Sequence, residues 1–144
     1  MIFTEKNKRL SFIICGYQYP QHDVLKTGYD SDANWLNCEF KFHENNHEAT
    51  CVDPCLSTYE LSEFIMGLSY VIDGLKTSYS SNFMEPYLEI NIERVENKIS
   101  FRIQFEYDSR EDGKSWEVIS LVEIEQAIKI LNELKDFHNL YPER

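Results

Sequence analysis

The chain has 144 residues, the size of one ordinary domain, and is read as a single domain over 1–144. Twenty-five acidic residues against fourteen basic ones leave a net charge of −11, which disfavours nucleic acid and anionic membrane as partners because phosphates attract Lys and Arg. The acidity is spread, with ten acidic and five basic residues in 1–72 and fifteen and nine in the rest. It suits a soluble surface or a basic protein partner.

Nine Phe, nine Tyr and two Trp supply a packed β-containing core, and five Gly with four Pro argue against disorder. No apolar run approaches the ~20 residues of a membrane span, and Phe12–Cys15 is too short for a signal peptide. The expected compartment is the cytoplasm, where the four cysteines stay reduced.

Residues 9–19 read as a strand, apolar on both faces and so an inner one, closed by Pro20. Residues 21–34 are a loop rich in Asp, Asn and Gly. Residues 35–43 alternate, with Leu36, Cys38, Phe40 and Phe42 inward and Asn37, Glu39, Lys41 and His43 outward. Asn45-Asn46 suits a hairpin turn, and 47–52 return. A helix follows over about 58–74. Ser57 and Glu60 form its capping box, Leu61, Phe64, Ile65, Leu68, Ile72 and Leu75 its stripe, and Gly74 its stop.

Residues 78–86 are a loop leading to a strand. Residues 87–95 and 99–107 alternate around a Glu96-Asn97 turn. That turn sets Ile92 opposite Phe101, Ile90 opposite Ile103 and Leu88 opposite Phe105. Asp112-Gly113 marks the next turn, 114–121 a strand, and about 122–139 a helix. The stripe of that helix is Ile124, Ala127, Ile128, Leu131 and Leu134. The expected fold is α+β, an antiparallel sheet in β-β-β-α-β-β-β-α order with both helices on one face. Two strand groups, each closed by a helix, suggest a loose structural duplication.

Chemistry is hard to find. His43, His47, Cys51 and Cys55 recur every fourth residue and are possible zinc ligands. On a strand such residues stand ~13 Å apart, too far for one ion, so no metal or other cofactor is expected. The carboxylates of the 21–34 loop lack the EF-hand pattern. No nucleophile elbow, reactive-cysteine signature or phosphate loop is present, so an enzyme is not expected. Glu85 is either a partly buried acid in need of partners or a solvated loop acid. The outward rows Asn37/Glu39/Lys41, Glu89/Asn91/Glu93 and Arg102/Gln104/Glu106 form a polar sheet face, solvated or used in recognition.

Several short patterns together carry a family likeness. They are Gly16-Tyr17-x-x-Pro20, Asp32-x-Asn34-Trp35-Leu36, Cys55-Leu56-x-Thr58-x-Glu60-Leu61, Glu85-Pro86 and Pro142-x-Arg144. In this order the chain resembles the WapI-type immunity proteins, small bacterial antitoxins that protect a cell from the toxic C-terminal domain of a contact-dependent or wall-associated toxin. The resemblance implies a non-enzymatic protein that binds and blocks its cognate toxin domain, often a basic nuclease. Pattern positions such as Trp35, Leu61 and Pro86 are then expected in the core. The candidate partner contacts are the loop acids Asp23, Asp30, Asp32, Glu111 and Asp112, which stay exposed and can reach a basic partner. The alternative is an adaptor or regulatory protein with no toxin.

Overall fold

Alternation with period two builds most of this molecule. The computed structural model describes residues 1–20, 31–106 and 115–144. The first four strands are β1 (Ile2–Glu5), β2 (Lys8–Tyr17), β3 (Trp35–Glu44) and β4 (His47–Ser57), and helix α1 (Thr58–Ile72) follows. The next four are β5 (Ser78–Ser80), β6 (Leu88–Val95), β7 (Lys98–Glu106) and β8 (Ser115–Glu123), and helix α2 (Ile124–Leu140) follows. A 3-10 turn, Ser31–Asn34, leads into β3. Each group of strands is an antiparallel meander, β1-β2-β3-β4 and β5-β6-β7-β8.

The class is α+β, as expected. The strands form two four-stranded sheets, and one short strand is added at the head of each half. β1 and β5 are short, four and three residues, and carry too little alternation to stand out. The duplication suspected from the sequence is visible as a meander closed by one helix, twice.

Hairpin register is set by two-residue turns. Lys6, Asn45 and Glu96 have φ of 51°, 55° and 54°, as primed turns require for strands of natural twist. Across Glu96-Asn97, Leu88 faces Phe105, Ile90 faces Ile103, Ile92 faces Phe101 and Val95 faces Lys98, the pairing read from the sequence. β4 runs five residues beyond the expected 47–52. Pro54 is tolerated there because β4 is an edge strand, and the β3–β4 register shifts between Leu36 and Cys38.

The inner faces of both sheets and both helices share one core. Phe40 stacks on Phe12 with ring centroids 4.8 Å apart and on Phe105 at 4.0 Å, joining the sheets, while Phe42 stacks on Trp116 at 4.9 Å. The β1 edge lies along β8, bonded through side chains. Thr4 N donates to Ser120 Oγ (3.1 Å), Ile119 N to Glu5 Oε2 (3.0 Å) and Lys8 Nζ to Glu117 O (3.1 Å).

Helix α1 begins at the capping box read from the sequence. Glu60 N donates to Ser57 Oγ and Ser57 N to Glu60 Oε2. Glu60 is buried, and its other oxygen accepts from Met84 N at 2.5 Å, so one carboxylate caps the helix and holds the 81–87 segment. Glu85 itself is half-buried. The helix ends at Gly74 (φ 72°), where Arg94 Nη1 donates to Ile72 O (2.7 Å) and Val71 O (3.3 Å).

Two stripes need correction. In α1, Leu61, Phe64, Leu68 and Val71 are buried, whereas Ile65 and Ile72 are half-buried and Leu75, past the helix, is exposed. In α2 the buried face is Ala127, Ile130, Leu131 and Leu134; Ile128 is exposed and Ile124 half-buried. Both choices satisfied i, i+3, i+4 spacing, and the contact stripe is too narrow to hold both Ile128 and Ile130. Of the pattern residues expected in the core, Leu61 is buried, Trp35 half-buried and Pro86 exposed.

Candidate partner-binding surface

At one end of the first sheet, β2 stops at Tyr17 and the 3-10 turn delivers Asn34 to the start of β3. Asn34 is fully buried, and polar groups there must be matched. Its Oδ1 accepts from Thr58 Oγ1 (3.0 Å) and Arg144 N (2.9 Å), and its Nδ2 donates to Arg144 O (3.1 Å). The Arg144 guanidinium lies 3.5 Å from the centre of the Tyr17 ring and donates from Nη1 to Tyr19 O (3.2 Å) and Pro20 O (3.4 Å). Tyr17 Oη donates to Pro142 O, Tyr141 Oη to Cys15 O (3.2 Å) and Tyr59 Oη to Glu143 Oε1 (2.9 Å). Residues 141–144 are thus strapped across the ends of β2, the 3-10 turn and α1.

The strap unites patterns that lie far apart in the sequence. Tyr17, Pro20, Asn34, Thr58, Pro142 and Arg144 belong to four of the short patterns, and here they surround one another. Sequence reading missed this convergence. Its one advance signal was a polar Asn placed directly before an alternating strand.

Of the five candidate contact residues, the described one is Asp32. It is exposed, on the 3-10 turn two residues before the buried Asn34. Asp23, Asp30, Glu111 and Asp112 lie outside the described residues. The flanks of the last two are described, and they sit elsewhere. Glu106 pairs with Ser115, next to Trp116, which stacks on Phe42 at the far part of β3. Trp35 to Phe42 is seven residues, roughly 23 Å of strand. Asp32 and the ends of β7 and β8 therefore mark two separate regions.

The outer sheet faces differ in charge. On the first sheet, Arg9 and Lys41 are matched by Glu39 and Glu48; Lys41 Nζ lies 2.8 Å from Glu39 and His43 Nδ1 3.1 Å from Glu48. A groove of about 440 Å³ is lined there by Arg9, Ser11, Lys41, His43 and Thr50. On the second sheet, Glu89, Glu93, Glu106, Glu117 and Glu123 outnumber Lys98 and Arg102. Both cations are engaged, Lys98 with Glu123 and Arg102 with Glu117, each at 2.6 Å. A groove of about 540 Å³ there is bordered by Ser80, Asn91, Glu93, Ser100, Arg102 and Ile119. Ile119 and Leu121 are exposed on this face, and Ile13 and Val52 on the other.

His43 and His47 are exposed on the β3–β4 hairpin, as strand geometry requires. All four cysteines are free, with Cys38 and Cys55 buried. Among the described residues no group of three or more His, Cys, Asp or Glu is arranged to hold a metal ion. Burial, reinforced by Cys55, holds the Cys38 thiol well above its usual pKa and lessens its reactivity. Burial also raises Asp53, and it pushes Tyr79 up to about 12 with help from Glu63 and Glu60. Ser62 Oγ lies 2.7 Å from His138 Nε2, but Ser62 is inside α1, where backbone N–H groups are spent on the helix. That pair joins the two helices and offers no oxyanion donors.

The described residues contain no helix long and apolar enough to cross a membrane. Among the described residues, the outer face of the second sheet carries an excess of carboxylates and Asp32 is exposed at the end of the first. The model of the immunity protein WapI-like family matches residues 1–142, and the chain belongs to that family. No curated protein and no solved structure matches it. Its role is accordingly that of an immunity protein, which acts by binding a cognate toxin protein.

Proposed function

We propose that this protein binds the toxic C-terminal domain of a cognate polymorphic toxin, a basic nuclease, and neutralises it by non-enzymatic inhibition in the cytoplasm of the producing cell. Family membership over nearly the whole chain carries the reading. The net charge of −11 supports a basic partner, because complementary fields steer encounter and suppress wrong partners. The contacts fall in two groups. Asp23, Asp30 and Asp32 belong to the segment between β2 and β3, and Glu111 and Asp112 to the segment between β7 and β8. The carboxylates on the outer face of the second sheet extend the acidic surface.

The test is co-expression with the C-terminal domain of the toxin from the adjoining reading frame. The expected result is protection of the host and a stable complex. Reversing Asp30 and Asp32 to Lys is expected to slow association by about tenfold or more while leaving folding intact. Reversing Glu111 and Asp112 tests the second group. Unchanged affinity and protection in either variant removes that group from the contact.

A further inference from the structure

We propose that Arg144 is a positioning residue for the contact edge at Asp32, acting through the backbone on both sides of the segment that joins β2 to β3. The inference rests on the immunity reading above. The guanidinium grips the chain before that segment by its bonds to Tyr19 O and Pro20 O. The backbone of the same residue grips the chain after it, through Asn34 Oδ1 and Nδ2. Asn34 is itself fixed by Thr58 Oγ1 at the start of α1, two residues before the buried Glu60 of the capping box. Asp32 stands on the 3-10 turn that Asn34 closes. One residue thus ties the end of β2, the start of β3 and the start of α1 to a common point.

The Arg144 head group is worth more here than a surface lysine would be. Its flat cation covers the Tyr17 ring at 3.5 Å, and Tyr17 Oη is bonded to Pro142 O, so ring and strap hold each other. A rigid binding edge avoids the cost of ordering on association. Losing the head group should therefore weaken toxin binding while barely touching the core, since Phe12, Phe40 and Phe105 lie elsewhere.

Arg144→Ala separates these effects, because it removes the guanidinium and leaves the backbone bonds of residue 144 to Asn34 available. The full chain and this variant are compared in thermal unfolding, in amide hydrogen exchange over residues 31–36, and in binding to the C-terminal domain of the toxin. The expected result is a melting temperature lowered by less than about 4 °C. Faster exchange over 31–36 and affinity weakened about tenfold should accompany it, the scale of lost charge-assisted bonds. Arg144→Lys, which keeps a cation over Tyr17, should recover part of the affinity. Unchanged exchange, or unchanged affinity with the wild-type chain bound normally, overturns the positioning role. Failure of the wild-type chain to bind the toxin domain overturns the immunity reading itself.

Discussion

The two halves of this protein have the same plan and different joints. Each is a four-stranded meander followed by a helix laid on a shared core. In the first half the join is polar and buried. Asn34, Ser57, Thr58 and Glu60 are all nearly inaccessible, and they tie β3, α1 and the 141–144 strap together. In the second half, Ser120 is the buried polar residue among those described, and Glu123, the N-cap of α2, makes no side-chain cap bond. The second half stands mainly on apolar packing. Buried polar networks specify a unique arrangement when fully satisfied, and the half that has one is the half that presents Asp32.

The largest expected loss comes from a ring that joins the two halves. Phe40→Ala removes the ring sandwiched between Phe12 and Phe105 and should cost about 3–5 kcal/mol in denaturant unfolding. A single cooperative transition, shifted as a whole, would show that the halves share one core.

The contrast between the joints is next. Glu60→Ala strands Ser57 N and Met84 N and should cost about 3 kcal/mol. Glu123→Ala breaks an exposed pair with Lys98 and should cost less than about 1 kcal/mol. Equal costs for the two would dissolve the comparison.

A third substitution tests how closely α1 approaches the second sheet. A Cβ at Gly67 would lie 2.1 Å from Tyr79 Cδ2, and the Tyr79 ring is backed by Phe64 at 6.3 Å. Overpacking of ~1–3 kcal/mol outweighs the ~1 kcal/mol gained in helix propensity. Gly67→Ala should thus destabilise by up to about 2 kcal/mol, and a stabilised variant would mean that this approach is loose.

The smallest effect is electrostatic. Burial raises the Asp53 carboxyl, so its favourable contribution is full below the unfolded pKa and is lost as pH rises through the folded one. Asp53→Asn should be slightly more stable than wild type at neutral pH, by less than about 0.5 kcal/mol. The gap should close in acid, and a gap that widens there would reverse the sign of the assignment.

Local rules were enough for much of the scaffold. The Leu88–Phe105 register followed from alternation around a two-residue turn, and the capping box at Ser57 from four adjacent residues. β1 and β5 escaped because they are too short to show a period. The division into two sheets was hidden because it depends on where β1 meets β8, a contact spanning most of the chain. The strap was hidden for the same reason. Asn34 and Arg144 are 110 residues apart, and nothing in either local sequence names the other. Loop composition pointed to Asp23, Asp30, Asp32, Glu111 and Asp112; of these Asp32 is described, and it is exposed, roughly a strand's length from the flanks of Glu111 and Asp112.

The most direct test is titration of the purified chain with the toxin C-terminal domain proposed as its partner, read as binding and as loss of toxin activity at low and at moderate salt. A stoichiometric complex that silences the toxin, and that forms more slowly as salt screens the acidic surface, is the expected result. A toxin domain that stays active and unbound in excess of this protein would contradict it.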